Sequence, residues 1–480
     1  MAPQREQIPR NRDMGGPQGL ISPDHEATLP AGPVHSDLLT PLFASAEMRA
    51  LLSDAERIGA MLAFETALAA SEAEAGLIPA EAAAAIAAAC ETFVPDVAAL
   101  GEETRRAGNP AIPFVKALTV HCPEPGRGWV HWGATSQDVI DTASVLVFRK
   151  ALALIDRDVV ALGDALAARA EAHRSTVMPG RTLLQPALPI TLGFKLAGWL
   201  DTAMRCRAAL RSAADLGLVL QFGGAVGTLA AVGGHAKAVR DGLGRRLDLP
   251  VPDIAWHAAR DRFARIGAEL AILTEALAKM AGDVALLMQA EVGEAAEPAG
   301  PGRGGSSTMP QKRNPVAAPA VRAGAIRAGA LATALLSAMQ QEHERGAGGW
   351  HAEWTILPDL FDVAAGALGH MIETIAGLEV RPERMRANLD IGNGTLMAES
   401  LMMALAPTIG RHEAHHVVGD AARRAIAEDR PLADICRQTE AIAGVLGGDG
   451  IARALDPSTY LGAAEATVDA VVSRWKTRRN

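Results

Sequence analysis

Four stretches of more than twenty residues with few helix breakers, 139–172, 192–218, 263–292 and 316–341, constrain the fold of this chain more than anything else in it. Helices of that length exceed the usual mean of about 11–12 residues. They predict a central bundle of long parallel and antiparallel rods. The filling of such a bundle is set by what is scarce: aromatic residues are 4% of the chain, with one Tyr and nine Phe, while hydrophobic residues are 49%. The core must therefore rest on Ala, Leu, Val and Ile, and Ala is both the strongest helix former and small enough for close helix approach. No strand-rich region and no 20–50-residue repeat is visible, so the expected fold class is all-α.

Shorter segments flank the rods. A helix is expected over 55–75, ended by Gly76, and another from Pro79 to Cys90, with Gly past one end and Pro in the next first turn. Four prolines between Asn109 and Gly128 read as an irregular stretch and a boundary. Beyond Trp354 the segments are expected to shorten around Pro382, Gly392, Gly394, Pro407 and Pro431. At 480 residues the chain is too long for one ordinary helical domain. The expected division is a Pro- and Gly-rich flexible extension at 1–37, an N-terminal helical domain at 38–118, the bundle at 119–356 and a C-terminal helical domain at 357–480.

The net charge of -9 argues against a nucleic-acid binder that relies on overall positive charge. The most membrane-like segment, 267–290, holds Glu269, Glu275, Lys279 and Asp283, which would be costly in lipid, so no membrane span is expected. Cys90, Cys122, Cys206 and Cys436 lie far apart, and no apolar leader opens the chain. Both features suggest reduced thiols in a cytoplasmic protein.

Three polar segments interrupt this pattern. The longest is EPAGPGRGGSSTMPQKRNP at 297–315. Loops of this length inside helical proteins are uncommon and often functional. Gly300, Gly302, Gly304 and Gly305 permit unusual backbone angles, so N–H groups can converge on an anion, with Lys312 and Asn314 close by to hold a carboxylate. Read as composition alone, the same segment is a solvated linker. HWGATSQD at 131–138 precedes a long rod; Thr135 or Ser136 can cap it, and its free N–H groups also suit an anionic substrate. GRTLLQP at 180–186 reads as a polar turn. His343 and His351 flank Arg345 in QEHERGAGGWHAEW, which suits either an anion or a surface cap. HEAHH at 412–416 matches the HExxH zinc pattern, but Ala422 and Cys436 stand where third ligands would be required, so no metal or other cofactor is expected.

GSSTMPQKRNP at 305–315 closely resembles the signature loop of the fumarase/aspartase superfamily, with HWGATSQD and GRTLLQPALPITLG resembling its other two blocks in the right order. The resemblance covers nearly everything from Leu38 onward. QFGGAVGTLAA at 221–231, WHAARDR at 256–262 and QEHERGAGGWHAEW at 341–354 look like the muconate cycloisomerase branch. Two departures stand out: Leu183 occupies the place of a His in the fumarate-releasing lyases, and Pro186 another expected His. The resemblance implies three helical domains, a homotetramer with composite sites and a polycarboxylate substrate. It also implies cycloisomerisation of 3-carboxy-cis,cis-muconate to a lactone through an aci-carboxylate, in the protocatechuate branch of aromatic catabolism. Ser306 would exchange the proton at carbon, Lys312 and Asn314 would hold the activating carboxylate, and His131, Thr135, Ser136, Thr182, Gln185 and Arg345 would bind the remaining oxygens. A β-elimination lyase that expels a nitro or amine group from a substituted succinate, and a non-catalytic structural member, are the other implied possibilities.

Overall fold

The computed structural model describes Ser36 and residues 38–479; the expected extension at 1–37 lies outside the described residues apart from Ser36. Among the described residues there are seventeen α-helices and two small two-stranded sheets. The first helices are α1 (Ala46–Leu51), α2 (Asp54–Glu74), α3 (Ala80–Thr92), α4 (Val97–Ala107) and α5 (Ala111–His121). Helix α5 is a correction to the irregular stretch read from its prolines. Pro110 and Pro113 fall at its N-cap and first turn, where an N–H has no helical partner anyway.

The rods are α6 (Ser136–Ala172), α7 (Leu192–Gly217), α9 (Asp261–Met288), α10 (Ala317–Ser337) and α11 (Gly349–Ala376), with the shorter α8 (Ala236–Leu247) between α7 and α9. Together they carry most of one continuous apolar core. Glycine sets how closely they approach: a Cβ on Gly267 of α9 would lie 2.2 Å from Leu335 of α10. Helix α11 corrects the expectation of shorter segments beyond Trp354, since it runs through Pro358 for 28 residues. An interior Pro costs about 3 kcal/mol. Here Leu357, Leu360, Phe361, Leu368 and Met371 bury one face of the helix, each worth about 1.5–3 kcal/mol, which outweighs that penalty.

Between α6 and α7 the chain forms a hairpin, β1 (Val177–Thr182) against β2 (Gln185–Thr191). Leu183 and Leu184 make its two-residue turn at φ +50° and +66°. Hairpin turns of this size usually need Asn or Gly there. The sequence reading of 180–186 as a polar turn placed the turn and missed the strands on either side of it. After α9, β3 (Ala295–Ala296) pairs with β4 (Glu379–Val380), which follows α11.

Helices α12 (Pro382–Asn388), α13 (Ala398–Ile409), α14 (Arg411–Ala427), α15 (Leu432–Gln438) and α16 (Glu440–Ala454) complete the sequence before α17 (Ala464–Arg478). A separate core of Leu401, Leu405, Val418, Leu432, Ile435 and Ile451 joins α13 to α16. Helix α17 returns to the bundle against α6 and α7, where the Trp475 indole N–H donates to Asp164 at 2.9 Å. All four cysteines are buried and free, and among the described residues no single helix is long and apolar enough to cross a membrane.

The return of α17 depends on the missing side chain at Gly163, where a Cβ would stand 2.3 Å from the Trp475 ring. Gly163→Ala is expected to destabilise the protein by about 1–3 kcal/mol. Hydrogen exchange should show loss of protection concentrated in 464–478; protection lost evenly over the bundle would contradict this account.

Candidate active site

The start of α6 is a polar cluster built around two carboxylates that are shut off from water. Thr135 is the N-cap, with extended φ, and its N–H donates to Asp138 at 3.0 Å. Asp138 also accepts from the Gly223 and Gly224 N–H groups at 2.9 Å each, and lies 2.7 Å from His257 Nε2. Asp141, one turn on, accepts from the buried Arg260 guanidinium at 2.6 and 3.1 Å, the Trp350 indole at 2.9 Å and the Gln137 amide at 3.1 Å. The far side of Arg260 is held by Glu353. Burial pushes the Glu353 carboxyl up despite that guanidinium, while the two carboxylates hold Arg260 above its ordinary value against the cost of its burial.

This network aims Arg345. Its two Nη groups donate to Gln137 Oε1 at 2.9 Å and to the Ala225 carbonyl at 2.8 Å. Both acceptors are neutral, so the guanidinium charge stays available to an anion. His131 sits four residues before Thr135's cap contacts end the turn, at φ +61°, with Nδ1 2.5 Å from Glu65 Oε1 on α2. Ser136 is the first residue of α6.

The other predicted residues lie at the opposite end. Helix α6 spans 37 residues, about 55 Å at 1.5 Å per residue. Beyond its far end stands the hairpin, in which Thr182 and Gln185 face each other beside the exposed Leu183–Leu184 turn. Arg181 binds Glu294 bidentately at 2.6 and 2.9 Å, and Asn388 donates to the same carboxylate, which ties the hairpin to the stem of the glycine-rich loop. Glu297 closes the loop at its other stem, accepting from the N–H groups of Val316, Ala317 and Ala318 at 2.8–3.0 Å and so capping α10. Arg313 on Glu379 and Arg303 on Glu373 fasten the loop to the end of α11 and to β4. Gly304 is needed at φ +69°, where its carbonyl accepts from the Asn314 N–H and a Cβ would meet the Asn314 carbonyl at 2.3 Å. Within it the Ser306 hydroxyl accepts from the Met309 N–H at 3.1 Å, and Lys312 is exposed.

One chain thus brings His131, Thr135, Ser136 and Arg345 together at one end. It brings Thr182, Gln185, Ser306, Lys312 and Asn314 to the other. His412 and His416 lie on the exposed side of α14, and among the described residues no cluster of three His, Cys, Asp or Glu fit for a metal is found.

The sequence reading missed Gln137, Asp138, Asp141, His257, Arg260 and Glu353 as members of the first cluster, as well as Glu65 and Glu72. The last two had a signal: they lie seven residues apart, on the face of α2 that also buries Met61, Phe64 and Leu68. Carboxylates on a buried apolar face rarely lack a role. Neither oxygen of Glu72 has a partner, and burial, reinforced by Glu65, pushes its carboxyl up to about 9.

Long helices, polar clusters at both bundle ends and a glycine-rich loop that carries a serine bound only to its own backbone and an exposed lysine fit an enzyme of the lyase type. The chain belongs to the lyase family of the fumarase/aspartase superfamily: the family model "Lyase" matches residues 43–329, and "Adenylosuccinate lyase C-terminus" matches 394–471. It is 46% identical to 3-carboxy-cis,cis-muconate cycloisomerase of Bradyrhizobium diazoefficiens over 90% of this chain and 97% of that one. Nitrosuccinate lyase of Streptomyces davaonensis is 40% identical over 92% of this chain and 95% of its own. The crystal structure of 3-carboxy-cis,cis-muconate lactonizing enzyme from Pseudomonas putida superposes with a TM-score of 0.87 at 43% identity, covering 92% of this chain and 99% of that chain.

Glu72 gives the cluster a pH signature. Its proton is bound far more tightly folded than at the ordinary value of 4.5, so native stability falls as pH rises from 4.5 toward 9. Glu72→Gln removes that slope. Denaturation midpoints of wild type and variant should diverge in the variant's favour between pH 5 and 8, by up to about 1.4 kcal/mol per pH unit. Parallel pH curves would show that Glu72 is not held protonated.

Proposed function

We propose that this enzyme converts 3-carboxy-cis,cis-muconate to a carboxymuconolactone. The observation that carries the reading is geometric. The three segments that look like the cycloisomerase branch, 221–231, 256–262 and 341–354, all close on Asp141, through Gln221 at 3.3 Å, Arg260 at 2.6 Å and Trp350 at 2.9 Å. Branch-specific residues are thus the ones that set the position of Arg345. The similarity to cycloisomerases over nine-tenths of the chain supports the same reading.

In the reaction a carboxylate oxygen bonds to one alkene carbon, and the π electrons move into the neighbouring carboxylate to give an aci-carboxylate. A proton is then delivered to the carbon beside it. The central task is stabilising the added charge. Lys312 and Asn314 take that carboxylate, and Ser306 donates the proton. The remaining carboxylates lie toward His131, Thr135, Ser136 and Arg345, with Thr182 and Gln185 on the hairpin side. The loop's glycine-rich backbone closes over the substrate and excludes water, which strengthens each of these interactions.

Two groups of residues at opposite ends of the 37-residue α6 can serve one substrate only if different subunits supply them. A homotetramer built on the central helices meets that need. It is supported by apolar side chains left exposed on them: Phe194 and Leu216 on α7, Ile272 and Leu286 on α9, and Ile326 and Leu336 on α10. Exposed apolar surface of this kind marks an interaction face.

Ser306→Ala is expected to reduce turnover roughly 10²–10⁴-fold with folding and assembly intact, read as loss of the ultraviolet absorbance of 3-carboxymuconate. Fumarate release from nitrosuccinate, with no change in 3-carboxymuconate, would replace this reading with a lyase; inactivity on both would leave a structural protein. Ile326→Glu should lower the mass measured by light scattering and abolish turnover together. Full activity in a monomeric variant would rule out shared sites.

A further inference from the structure

The pair formed by Glu65 and His131 has a geometry that ordinary packing does not require. His131 is held at φ +61°, a left-handed conformation unfavourable for a residue with a side chain. Its Nδ1 lies 2.5 Å from Glu65 Oε1, and the Glu65 side chain is 1% exposed while that of His131 is 13% exposed. The ring therefore has one nitrogen on a carboxylate in the interior, and it lies four residues before the Thr135 cap of the helix whose start holds Arg345 through Gln137.

The surroundings determine what the second nitrogen can do. From α2 come Glu65 and Glu72, and from α6 comes Asp138, whose own oxygens are taken by Thr135, Gly223, Gly224 and His257. Arg345 reaches the cluster through Gln137, one residue before Asp138. A neutral imidazole that donates from Nδ1 to Glu65 would turn a lone pair at Nε2 outward, and that would repel a carboxylate. An imidazolium in the same place presents an Nε2–H donor.

We propose that Glu65 is a positioning residue of this site: its buried carboxylate orients His131 and keeps the ring doubly protonated, so that Nε2–H receives a carboxylate of the substrate. This deepens the proposed function and rests on it for the identity of that substrate. Burial opposes charge on the ring, but the Glu65 carboxylate, by its charge and its hydrogen bond, and then Asp138 outweigh it and hold His131 above its usual range. Glu72 lies beside Gly133, with Oε1 4.0 Å from where a Cβ there would be, and its pushed-up carboxyl stays neutral beneath the pair.

Glu65→Gln keeps the size and an acceptor oxygen while removing the charge. The probe is propane-1,2,3-tricarboxylate, titrated calorimetrically into the full-length protein at pH 6 and pH 8, beside KM and kcat for 3-carboxymuconate. Wild type should bind equally at both pH values. In Glu65→Gln the affinity should fall about tenfold from pH 6 to pH 8, because a ring returned toward its ordinary range loses its proton between them. KM should rise in step and kcat should change little, and Glu65→Asp should restore part of the high-pH affinity. Equal weakening at both pH values would reduce Glu65 to a packing role and overturn the proposal, as would no weakening at all. If Glu65→Gln fails to fold, His131→Asn decides: at least a tenfold loss of tricarboxylate affinity at both pH values is expected, and unchanged affinity refutes the proposal. A wild type that binds the tricarboxylate but does not turn over 3-carboxymuconate would refute the substrate assignment while leaving the Glu65 result standing.

Discussion

Two carboxylates removed from water one helical turn apart govern this structure. A buried charge without partners costs several kcal/mol, and a buried polar group is tolerated only when its hydrogen bonds are made elsewhere. Asp138 and Asp141 are 0% and 2% exposed, and between them they accept from the Thr135, Gly223 and Gly224 amides, Gln137, Gln221, Arg260 and Trp350. Four separated segments of the chain must therefore meet at the mouth of α6 for the bundle to close. Arg260, stacked 4.8 Å over Trp256, turns that requirement into rigidity because four of its five N–H donors go to Asp141 and Glu353. Arg345 inherits this rigidity at the cluster's rim.

The same helix that is anchored there separates the chemistry. α6 is long because from Ala143 onward its buried face is apolar and because Gly163 lets α17 lie against it, and its length puts the serine loop at the far end. Length and division of labour are thus one property. The loop itself does not need a second core to hold it: Glu297 spends both its oxygens on the first amides of α10, and Arg303 and Arg313 tie the segment to Glu373 and Glu379. What lies between those anchors, from Gly304 to Lys312, is left on the surface with Ser306 bound only to its own loop, the state expected of a segment that must move over a ligand.

Which features were legible in the sequence follows from how locally they are encoded. The rods showed themselves because stretches of more than twenty residues with few breakers are hard to fold any other way, and α7 ends within one residue of its expected limit at Leu218. Capping at Thr135 was equally local. The irregular reading of 109–128 failed because Pro113 was weighed as a breaker although its place in the first turn excuses it, and the shortening after Trp354 failed because the punctuation it rested on begins only at Pro382, past the end of α11. The hairpin failed because Leu183–Leu184 adopts a backbone usually reserved for Asn-Gly. The buried network was out of reach in another sense, since Asp141, Arg260 and Glu353 are 119 and 93 residues apart and no local pattern pairs them.

Charge counting links these parts to the substrate. The proposed substrate has three carboxylates and needs more than one cation, and the predicted residues offer one on each side of the division: Arg345 at one end and Lys312 at the other. Arg181 cannot join them, because Glu294 already takes its fork. With Leu183 at the hairpin tip in place of an imidazole, that side provides hydroxyl and amide groups from Thr182 and Gln185 but no titrating acid. Under the proposed reading the reaction has no leaving group to protonate on the hairpin side. Ring closure satisfies that condition, since the atom displaced from the alkene is an electron pair, received by a carboxylate, and the one proton required can come from the serine.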